Sequence, residues 1–167
     1  MDPSIITPFI TSIQNVFSTM LQLPVEIGEP YVKKQADPSF DVSGIIGMSG
    51  DAVGSVVLSF PSATAERVVA LFCGEELAQG SGDFNDAIGE LVNMVSGGAK
   101  ALFPGKKISI SVPSVVNGKG HTIATPSDAP VICIPCTTDC GELHIQIAIV
   151  DRQNAGAKGA AAHTAQA

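Results

Sequence analysis

Two long segments of the chain carry apolar residues at the spacing of an amphipathic helix, i, i+3, i+4 and i+7. The first covers residues 5–23 and is expected to end before Pro24. The second covers residues 84–103. The predicted apolar faces are Ile6, Phe9, Ile10, Ile13, Phe17, Met20 and Leu21 in the first helix, and Phe84, Ile88, Leu91, Val92, Val95, Ala99 and Leu102 in the second.

Segments rich in Val and Ile with alternating polarity predict β-strands elsewhere. Residues 41–61 are interpreted as a hairpin, because "SGD" stands at their centre and Pro61 ends them. A short helix is predicted to follow over 62–76, with Ser62 as its N-cap and Gly74 at its end. The other strand-like segments are 25–34, 107–116, 120–124, 129–136 and 141–150.

The two halves of the chain repeat one order of elements: a long amphipathic helix, an extended segment and a hairpin. This repeat predicts an α/β (α+β) fold, a pseudo-duplicated domain with long helices packed on an antiparallel or mixed sheet. At 167 residues the chain has the size of one domain. We assign residues 1–152 to this domain and expect 153–167, which are rich in Ala and Gly, to be disordered.

Composition and charge narrow the class of protein. A hydrophobic fraction of 45% with 15% charged residues is typical of a globular chain. The formal net charge of -7 disfavours nucleic acid as a partner, because phosphate binding needs a basic surface. No apolar run approaches the roughly 20 residues that span a bilayer, and "MDPSIITPF" lacks the basic start of a secretory signal. We therefore expect a cytoplasmic protein that does not bind a membrane.

Three cysteines and a histidine, Cys133, Cys136, Cys140 and His144, lie in one short stretch. Their order, C-x-x-C-x-x-x-C-x-x-x-H, is found in some zinc and iron–sulfur sites. However, the sequence has no second knuckle of the kind that identifies zinc ribbons, and cysteines are often simply small core residues. We favour Cys133 in a buried strand and Cys136 and Cys140 beside a turn, and we predict no metal site and no intrinsic cofactor.

The long helix of the second half has a polar face opposite its apolar one. Asp86, Glu90, Asn93 and Gly97 follow one another at i+4, i+3 and i+4, so their side chains should point away from the core. Exposed Glu and Asn residues on helices are usually ordinary solvated residues. The glycines need an explanation, since each interior Gly costs roughly 1 kcal/mol relative to Ala. We expect Gly98 to admit a close neighbour and Gly97 to clear space beside Asn93.

The segment "DAIGELVNMVSGGAKALF" resembles the CheX members of the CheC/CheX/FliY family, phosphatases that act on the chemotaxis response regulator CheY. The family motif is Asp or Ser, three residues, Glu, two residues, Asn, and a Pro further along the chain. Asp86, Glu90 and Asn93 match it directly, and Pro113 stands at about the expected distance. The segments "PFITSIQNVFSTML" and "GEPYVK" are also similar to CheX sequences, so the resemblance covers nearly the whole chain.

The resemblance implies an aspartyl-phosphate protein phosphatase whose partner is a phosphorylated CheY-like response regulator. The regulator would bring its own Mg²⁺ and lysine, so no cofactor is expected in this chain. Asn93 would hold the attacking water, because an amide can orient water without a charge that repels the phosphoryl group. Glu90 would pair with the regulator's lysine, and Asp86, Gly97 and Lys100 would contact the partner.

Relatives of the CheC type carry the motif on two equivalent helices. Here the first helix offers Ser12 and Asn15 on its polar side without a Glu in register, so a single complete site is expected. The resemblance also implies a homodimer joined through the sheet. The alternative function is a non-catalytic docking module for a phosphorylated regulator or for a flagellar-switch component.

Overall fold

A computed structural model describes residues 2–34, 36–125 and 129–152. The segment 153–167, for which disorder is predicted, lies outside these residues. The elements in chain order are α1 (Pro3–Leu21), β1 (Glu26–Ile27), β2 (Tyr31–Lys33), β3 (Val42–Gly50), β4 (Ala52–Phe60), α2 (Ser62–Cys73), α3 (Gly82–Ala101), β5 (Ile108–Ile110), β6 (Ser114–Asn117), β7 (Val131–Thr138) and β8 (Gly141–Asp151). The order helix, two short strands, hairpin occurs twice, with α2 between the copies.

The strands form one antiparallel sheet in which the two halves of the chain exchange their edge strands. The central path of the sheet is β1-β7-β8-β4-β3-β5, so the hairpins β3–β4 and β7–β8 lie side by side. The short strands β1 and β2 of the first half pair with β7 of the second half. In the same way, β5 and β6 of the second half pair with β3 of the first. The predicted pseudo-duplicated domain with helices on an antiparallel sheet is confirmed.

The three helices share one hydrophobic core with alternate residues of the central strands, such as Val56 in β4 and Ile145 in β8. Helices α1 and α3 touch directly, since the Ser12 hydroxyl of α1 donates to the Val95 carbonyl of α3 at 2.6 Å. Just after α3, the ring of Phe103 lies 6.1 Å from that of Phe9 of α1 in an edge-to-face arrangement. These contacts leave the outer surface of α3 uncovered along the helix, and that surface carries the candidate site.

Helix α2 is capped by a residue that is distant in sequence. Pro61, not the predicted Ser62, occupies the N-cap position, and Ser62 is the first helical residue. The Ser62 N–H donates to the carboxylate of Asp41 at 2.9 Å, and this hydrogen bond lowers the pKa of Asp41. Strands β3 and β4 pair antiparallel, so the end of β4 lies beside the start of β3. Asp41 can therefore cap the helix although it is 21 positions away from Ser62. At the other end Gly74 adopts a left-handed conformation (φ 73°) and ends the helix as predicted.

Two apolar side chains assigned to core faces are instead half exposed at the ends of their helices. Met20 is 50% exposed and α1 ends one residue after it, at Leu21, rather than at the predicted residue 23. Leu102 is 46% exposed because α3 ends at Ala101. A helical wheel assigns a residue to the core on the assumption that the helix and the surface it packs against both extend past that residue. This assumption fails at Met20 and at Leu102.

The strand predicted over 120–124 is wrong, since residues 121–125 make no strand pairing. Side-chain hydrogen bonds hold this segment on the sheet instead of a backbone ladder. His121 Nε2 lies 2.8 Å from Ser43 Oγ of β3, and His121 Nδ1 lies 2.6 Å from the Gly118 carbonyl oxygen. The alternating polarity of the segment therefore reflects contact with the outer face of the sheet.

Candidate active site on helix α3

The polar face of α3 is turned to solvent. Asp86, Glu90 and Lys100 are exposed and Asn93 and Gly97 are partly exposed, while the opposite face is buried in the core. The five residues lie on one side of the helix, and we refer to them as the α3 ridge. The orientation predicted from helical periodicity is confirmed. The catalytic and docking roles of these residues remain predictions.

The side chains of Glu90 and Asn93 have no competing polar partner among the described residues. Neither side chain makes a hydrogen bond or an ion pair with any residue in the ranges that the structure describes. Residues three apart on a helix have Cβ atoms about 5–6 Å apart, so the carboxylate and the amide can reach into one pocket together. Both groups are therefore available to a second molecule.

Gly97 and Gly98 are adjacent in sequence but face different surroundings. A Cβ atom at Gly97 would have no heavy atom within 4 Å, so the surface beside Asn93 is open. A Cβ atom at Gly98 would collide with the hydroxyl of Ser12 on α1. The expectation that Gly98 admits a close neighbour is confirmed, and the neighbour is α1. The role of Gly97 in admitting a partner stays a prediction.

Gly89, which directly precedes Glu90, is buried under residues 111–121, a segment that we call the strap. A Cβ atom at Gly89 would lie 3.1 Å from Pro113 Cγ, closer than the ordinary distance of 3.5–4.0 Å between carbon atoms. The strap also explains why the strand predicted over 107–116 is divided into β5 and β6. Helical periodicity does not predict this role of Gly89, because its partner Pro113 is far away along the chain.

The strap is attached to the sheet and to α3. The Gly47 N–H of β3 donates to Ser111 Oγ at 2.8 Å, and the Ser111 N–H donates to the Gly47 carbonyl at 2.9 Å. At the far end of β6, Asn117 Nδ2 donates to Asn85 Oδ1 of α3 at 2.7 Å. These bonds fix the turn of α3 that carries Glu90 relative to the sheet.

A shallow depression separates the ridge from the C-terminal end of α2, and we call it the acidic groove. Its volume is about 430 Å³, and its lining residues are Phe72, Cys73, Glu75, Leu77, Asp83, Asp86, Ala87 and Glu90. Phe72, Leu77 and Ala87 are wholly or partly buried, whereas the four acids are exposed. Sequence reasoning found only the two acids on the ridge. The signal for the others is that residues 68–99 contain five acids and no Lys or Arg.

Helix α1 does not present an exposed acid and amide one turn apart, as α3 does. Ser12 was expected on the polar side but is only 2% exposed, and its hydroxyl donates to the Val95 carbonyl of α3 at 2.6 Å. The expectation was wrong because packing of α1 against α3 buries that side of the helix. Asn15 is exposed, as expected, but α1 contains no Asp or Glu that could accompany it.

The cysteine and histidine stretch belongs to the sheet. Cys133 and Cys136 lie within β7 and Cys140 in the turn after it, and all three are buried. Burial raises the pKa of the Cys136 thiol to about 12, which keeps it protonated at neutral pH. The ring of His144 packs on Phe40 with 4.4 Å between centroids. Across residues 2–34, 36–125 and 129–152, no three His, Cys, Asp or Glu residues are grouped so that they could hold a metal ion.

No helix in the described part of the chain has the length and apolar character of a membrane span.

The fold has close counterparts among solved structures. A CheC-like superfamily protein from Shewanella sp. PV-4 superimposes with a TM-score of 0.81 and 36% sequence identity, over 90% of this chain and 99% of that chain. The fold is thus that of the CheC-like proteins. Within this class, the sequence model of the family described as "Chemotaxis phosphatase CheX" matches residues 42–137. The chain belongs to the CheX family.

Individual relatives agree with this assignment. The "CheY-P phosphatase CheX" of Thermotoga maritima is 33% identical over 122 residues, which are 71% of this chain and 79% of the relative. A CheX–CheY–BeF3–Mg²⁺ complex from Borrelia burgdorferi is similar with a TM-score of 0.72 over 87% of this chain and 97% of that chain. At 23% identity the second likeness shows the fold alone. The family resemblance recognised in the sequence is confirmed.

Proposed function

We propose that this chain hydrolyses the aspartyl phosphate of a CheY-like response regulator by inserting Glu90 and Asn93 into the regulator's active site. Membership of the CheX family supports the reaction class, and the relative from Thermotoga maritima is named a CheY-P phosphatase. The observation that carries the site is the α3 ridge. Glu90 and Asn93 project from one helix without a hydrogen-bond or ion-pair partner in the part of the chain that the structure describes, and the surface at Gly97 beside them is open.

Asn93 is proposed to hold the attacking water. Hydrolysis needs a water oxygen in line with the bond between phosphorus and the aspartate oxygen, which leaves as a carboxylate. The amide carbonyl of Asn93 accepts a hydrogen bond from the water, and the amide NH₂ can donate to a phosphoryl oxygen. A neutral amide adds no charge that would repel the phosphoryl group. Positioning of this kind is sufficient because the transition state is loose and needs little help from a base.

Glu90 is proposed to anchor the ridge in the partner rather than to act as a base. Its carboxylate would pair with the lysine of the regulator's active site, and Asp86, Gly97 and Lys100 would contact the surrounding surface. We further propose that Mg²⁺ belongs to the regulator, where it neutralises charge on the phosphoryl oxygens. The Borrelia burgdorferi complex is compatible with this division, since it contains CheY, BeF3 and Mg²⁺ together with CheX.

The decisive experiment follows phosphate loss from a panel of CheY-like regulators that have been phosphorylated by a small-molecule donor. Decay of at least one regulator should accelerate when the protein is added, and a chelator should stop the turnover. Measured without a regulator, the protein should show no tight Mg²⁺ binding. If a regulator binds but its decay is unchanged, the chain is a docking module and the proposed phosphatase activity is wrong.

We also propose that the chain forms a homodimer through the edge of its sheet and works in the cytoplasm, where response regulators are phosphorylated. The dimer is supported by the edge strand β2, on which Tyr31 is 42% exposed and Val32 is 60% exposed. Sedimentation equilibrium tests this: a Val32→Lys variant should shift the protein toward the monomer. A wild-type protein that sediments as a monomer at every concentration would contradict the dimer.

A further inference from the structure

The acidic groove combines an apolar floor with an acidic rim. Its floor is formed by Phe72, Leu77 and Ala87, and its described lining includes four carboxylates but no Lys or Arg. A larger depression of about 590 Å³ on the α2 side of Leu77 differs in this respect, because Arg67 lines it together with two glutamates. In the acidic groove, by contrast, the negative charge has no cationic neighbour among the lining residues.

The thiol of Cys73 lies close to two acids of the groove. Cys73 is exposed and lines the groove beside two of the rim acids. Its pKa is raised, first by partial burial and then by the negative charges of Glu75 and Asp83. A group in the groove that gains negative charge is thus disfavoured, and a group that carries positive charge is favoured there.

Apolar and acidic surfaces side by side fit one class of side chain. Lysine and arginine bury an aliphatic stem on apolar surface while they keep the charged end beside carboxylates and water. The groove offers Phe72 and Leu77 to a stem, and Glu75 and Asp83 to a charged end. A purely apolar side chain would leave the carboxylates without partners, and an acidic one would be repelled.

The groove is continuous with the proposed contact surface. Asp86 and Glu90 belong both to the α3 ridge and to the groove wall, so a molecule that receives the ridge also covers the groove. A basic side chain beside the regulator's active site would complement the negative rim. No segment of the described chain lies in the groove.

We propose that the acidic groove receives a Lys or Arg side chain of the regulator, distinct from the lysine that pairs with Glu90. This inference rests on the proposed function and deepens it, because recognition then extends from α3 onto the end of α2. Regulators that carry a basic residue at the matching position bind well, and regulators that lack it bind weakly.

The first test measures affinity for a regulator from the panel, loaded with BeF3 and Mg²⁺. The double variant Glu75→Gln/Asp83→Asn should weaken binding about three- to tenfold, with kcat at saturating regulator unchanged. Its binding should also depend less on salt concentration. The matched control is Glu26→Gln/Glu29→Gln, which removes the same charge at the β1 end of the sheet and should bind like wild type. Equal affinities for both double variants would overturn the inference.

The second test identifies the occupant. Each Lys and Arg near the regulator's phosphorylation site is replaced by Ala and combined with the Glu75→Gln/Asp83→Asn variant in a double-mutant cycle. One basic residue should account for most of the loss, so that the combined variants bind no more weakly than either alone. Fully additive losses at every basic residue would contradict a single bound side chain. A changed oligomeric state with unchanged regulator affinity would show that a second copy of the chain occupies the groove.

A third test needs no partner. Alkylation of Cys73, the exposed cysteine, should follow a pH profile that shifts to lower pH in the Glu75→Gln/Asp83→Asn variant and stays in place in the Glu26→Gln/Glu29→Gln control. An unshifted profile would remove the electrostatic basis of the inference.

The three tests together distinguish failure of the proposed function from failure of this inference. A wild-type protein that binds no regulator contradicts the proposed function and this inference together, whereas binding that is insensitive to the groove contradicts this inference alone.

Discussion

Helices α1 and α3 occupy equivalent positions in the two halves of the fold, yet they use their polar residues in opposite ways. Ser12 of α1 is buried and holds the Val95 carbonyl of α3. Glu90 and Asn93 of α3 make no hydrogen bond or ion pair with the described residues, and both lie on the side of α3 that faces solvent. Ser12 and Asn15 have the same spacing as Glu90 and Asn93, but only the second pair can reach another molecule.

The comparison shows that duplication of the fold places a helix at the equivalent position in each half, but that this position alone does not make a binding site. A site also needs a face that the rest of the domain leaves uncovered. On α1 that face is taken by α3, which approaches closely because Gly98 has no side chain. The polar side of α1 thus stabilises the domain, whereas that of α3 faces outward, where the proposed site lies.

The largest effect is expected when the motif of α3 is copied onto α1. Ser12→Glu creates the Glu-x-x-Asn spacing on α1 but buries an unpaired charge, so the free energy of unfolding should fall by about 3–5 kcal/mol. Chemical denaturation measures this, with the exposed Asn15→Glu variant as the control, which should change stability by less than about 0.5 kcal/mol. If Ser12→Glu is as stable as wild type, the two helices are more alike than the structure shows.

Removal of the amide tests the functional side of the comparison. Asn93→Ala should reduce the accelerated dephosphorylation by about 10²- to 10³-fold, because the water loses its positioning group. Regulator affinity should remain measurable. The same substitution on the other helix, Asn15→Ala, should leave the rate unchanged. Full turnover by Asn93→Ala would rule out the water-holding role.

The acid of the ridge is expected to act mainly through binding. Glu90→Ala should weaken regulator affinity about tenfold or more and lower the rate as well, because a charge-assisted contact to the regulator's lysine is lost. Titration with the BeF3-loaded regulator measures the affinity, and Glu66→Ala on the exposed surface of α2 is the control. A lowered rate with unchanged affinity would contradict the anchoring role.

A side chain at the open position of the ridge should obstruct the partner without harming the fold. Gly97→Leu should reduce affinity and turnover several-fold, while the melting temperature stays at or above that of wild type, since a helical Leu replaces Gly in open space. Regulator binding and thermal denaturation are measured on the same sample. Wild-type binding by Gly97→Leu would show that no partner approaches there.

The smallest effect comes from the adjacent glycines. Gly97→Ala should stabilise the protein by up to about 1 kcal/mol, because Ala is a better helix former than Gly. Gly98→Ala should instead destabilise it by about 1–2 kcal/mol, because the new methyl group displaces the Ser12 hydroxyl from the Val95 carbonyl. In a Ser12→Ala background the cost of Gly98→Ala should shrink. Equal effects at the two glycines would mean that α1 does not approach α3 as described.

Local patterns in the sequence predicted the orientation of the ridge well, because it depends on helical periodicity alone. The repeat of element order likewise predicted the duplicated fold. Such local patterns could not predict contacts between residues that are distant in sequence. The cap of α2 comes from Asp41 across a hairpin, and the partner of Gly89 is Pro113 on the strap. No local signal marks either contact.

The acidic groove was missed for a related reason. Its wall joins the end of α2 to the start of α3, so its shape depends on how the helices pack and not on either helix alone. The run of acids without a basic residue was visible in the sequence, but charge by itself does not show where a concave surface forms. Ser12 was misplaced because a small hydroxyl residue fits a buried contact as well as a solvated one.

Strands β1 and β2 pair with β7, and β5 and β6 pair with β3, so each half of the chain supplies flanking strands to the other half. This exchange determines what happens if the polypeptide is cut between the halves. A cut in the connection between α2 and α3 would produce two fragments that each lack their flanking strands and expose unpaired backbone. Neither fragment should be stable by itself, whereas an equimolar mixture should reassemble. Two identical half-length peptides could satisfy each other by the same reciprocal exchange, so the architecture is one that a much shorter ancestor could have built as a pair.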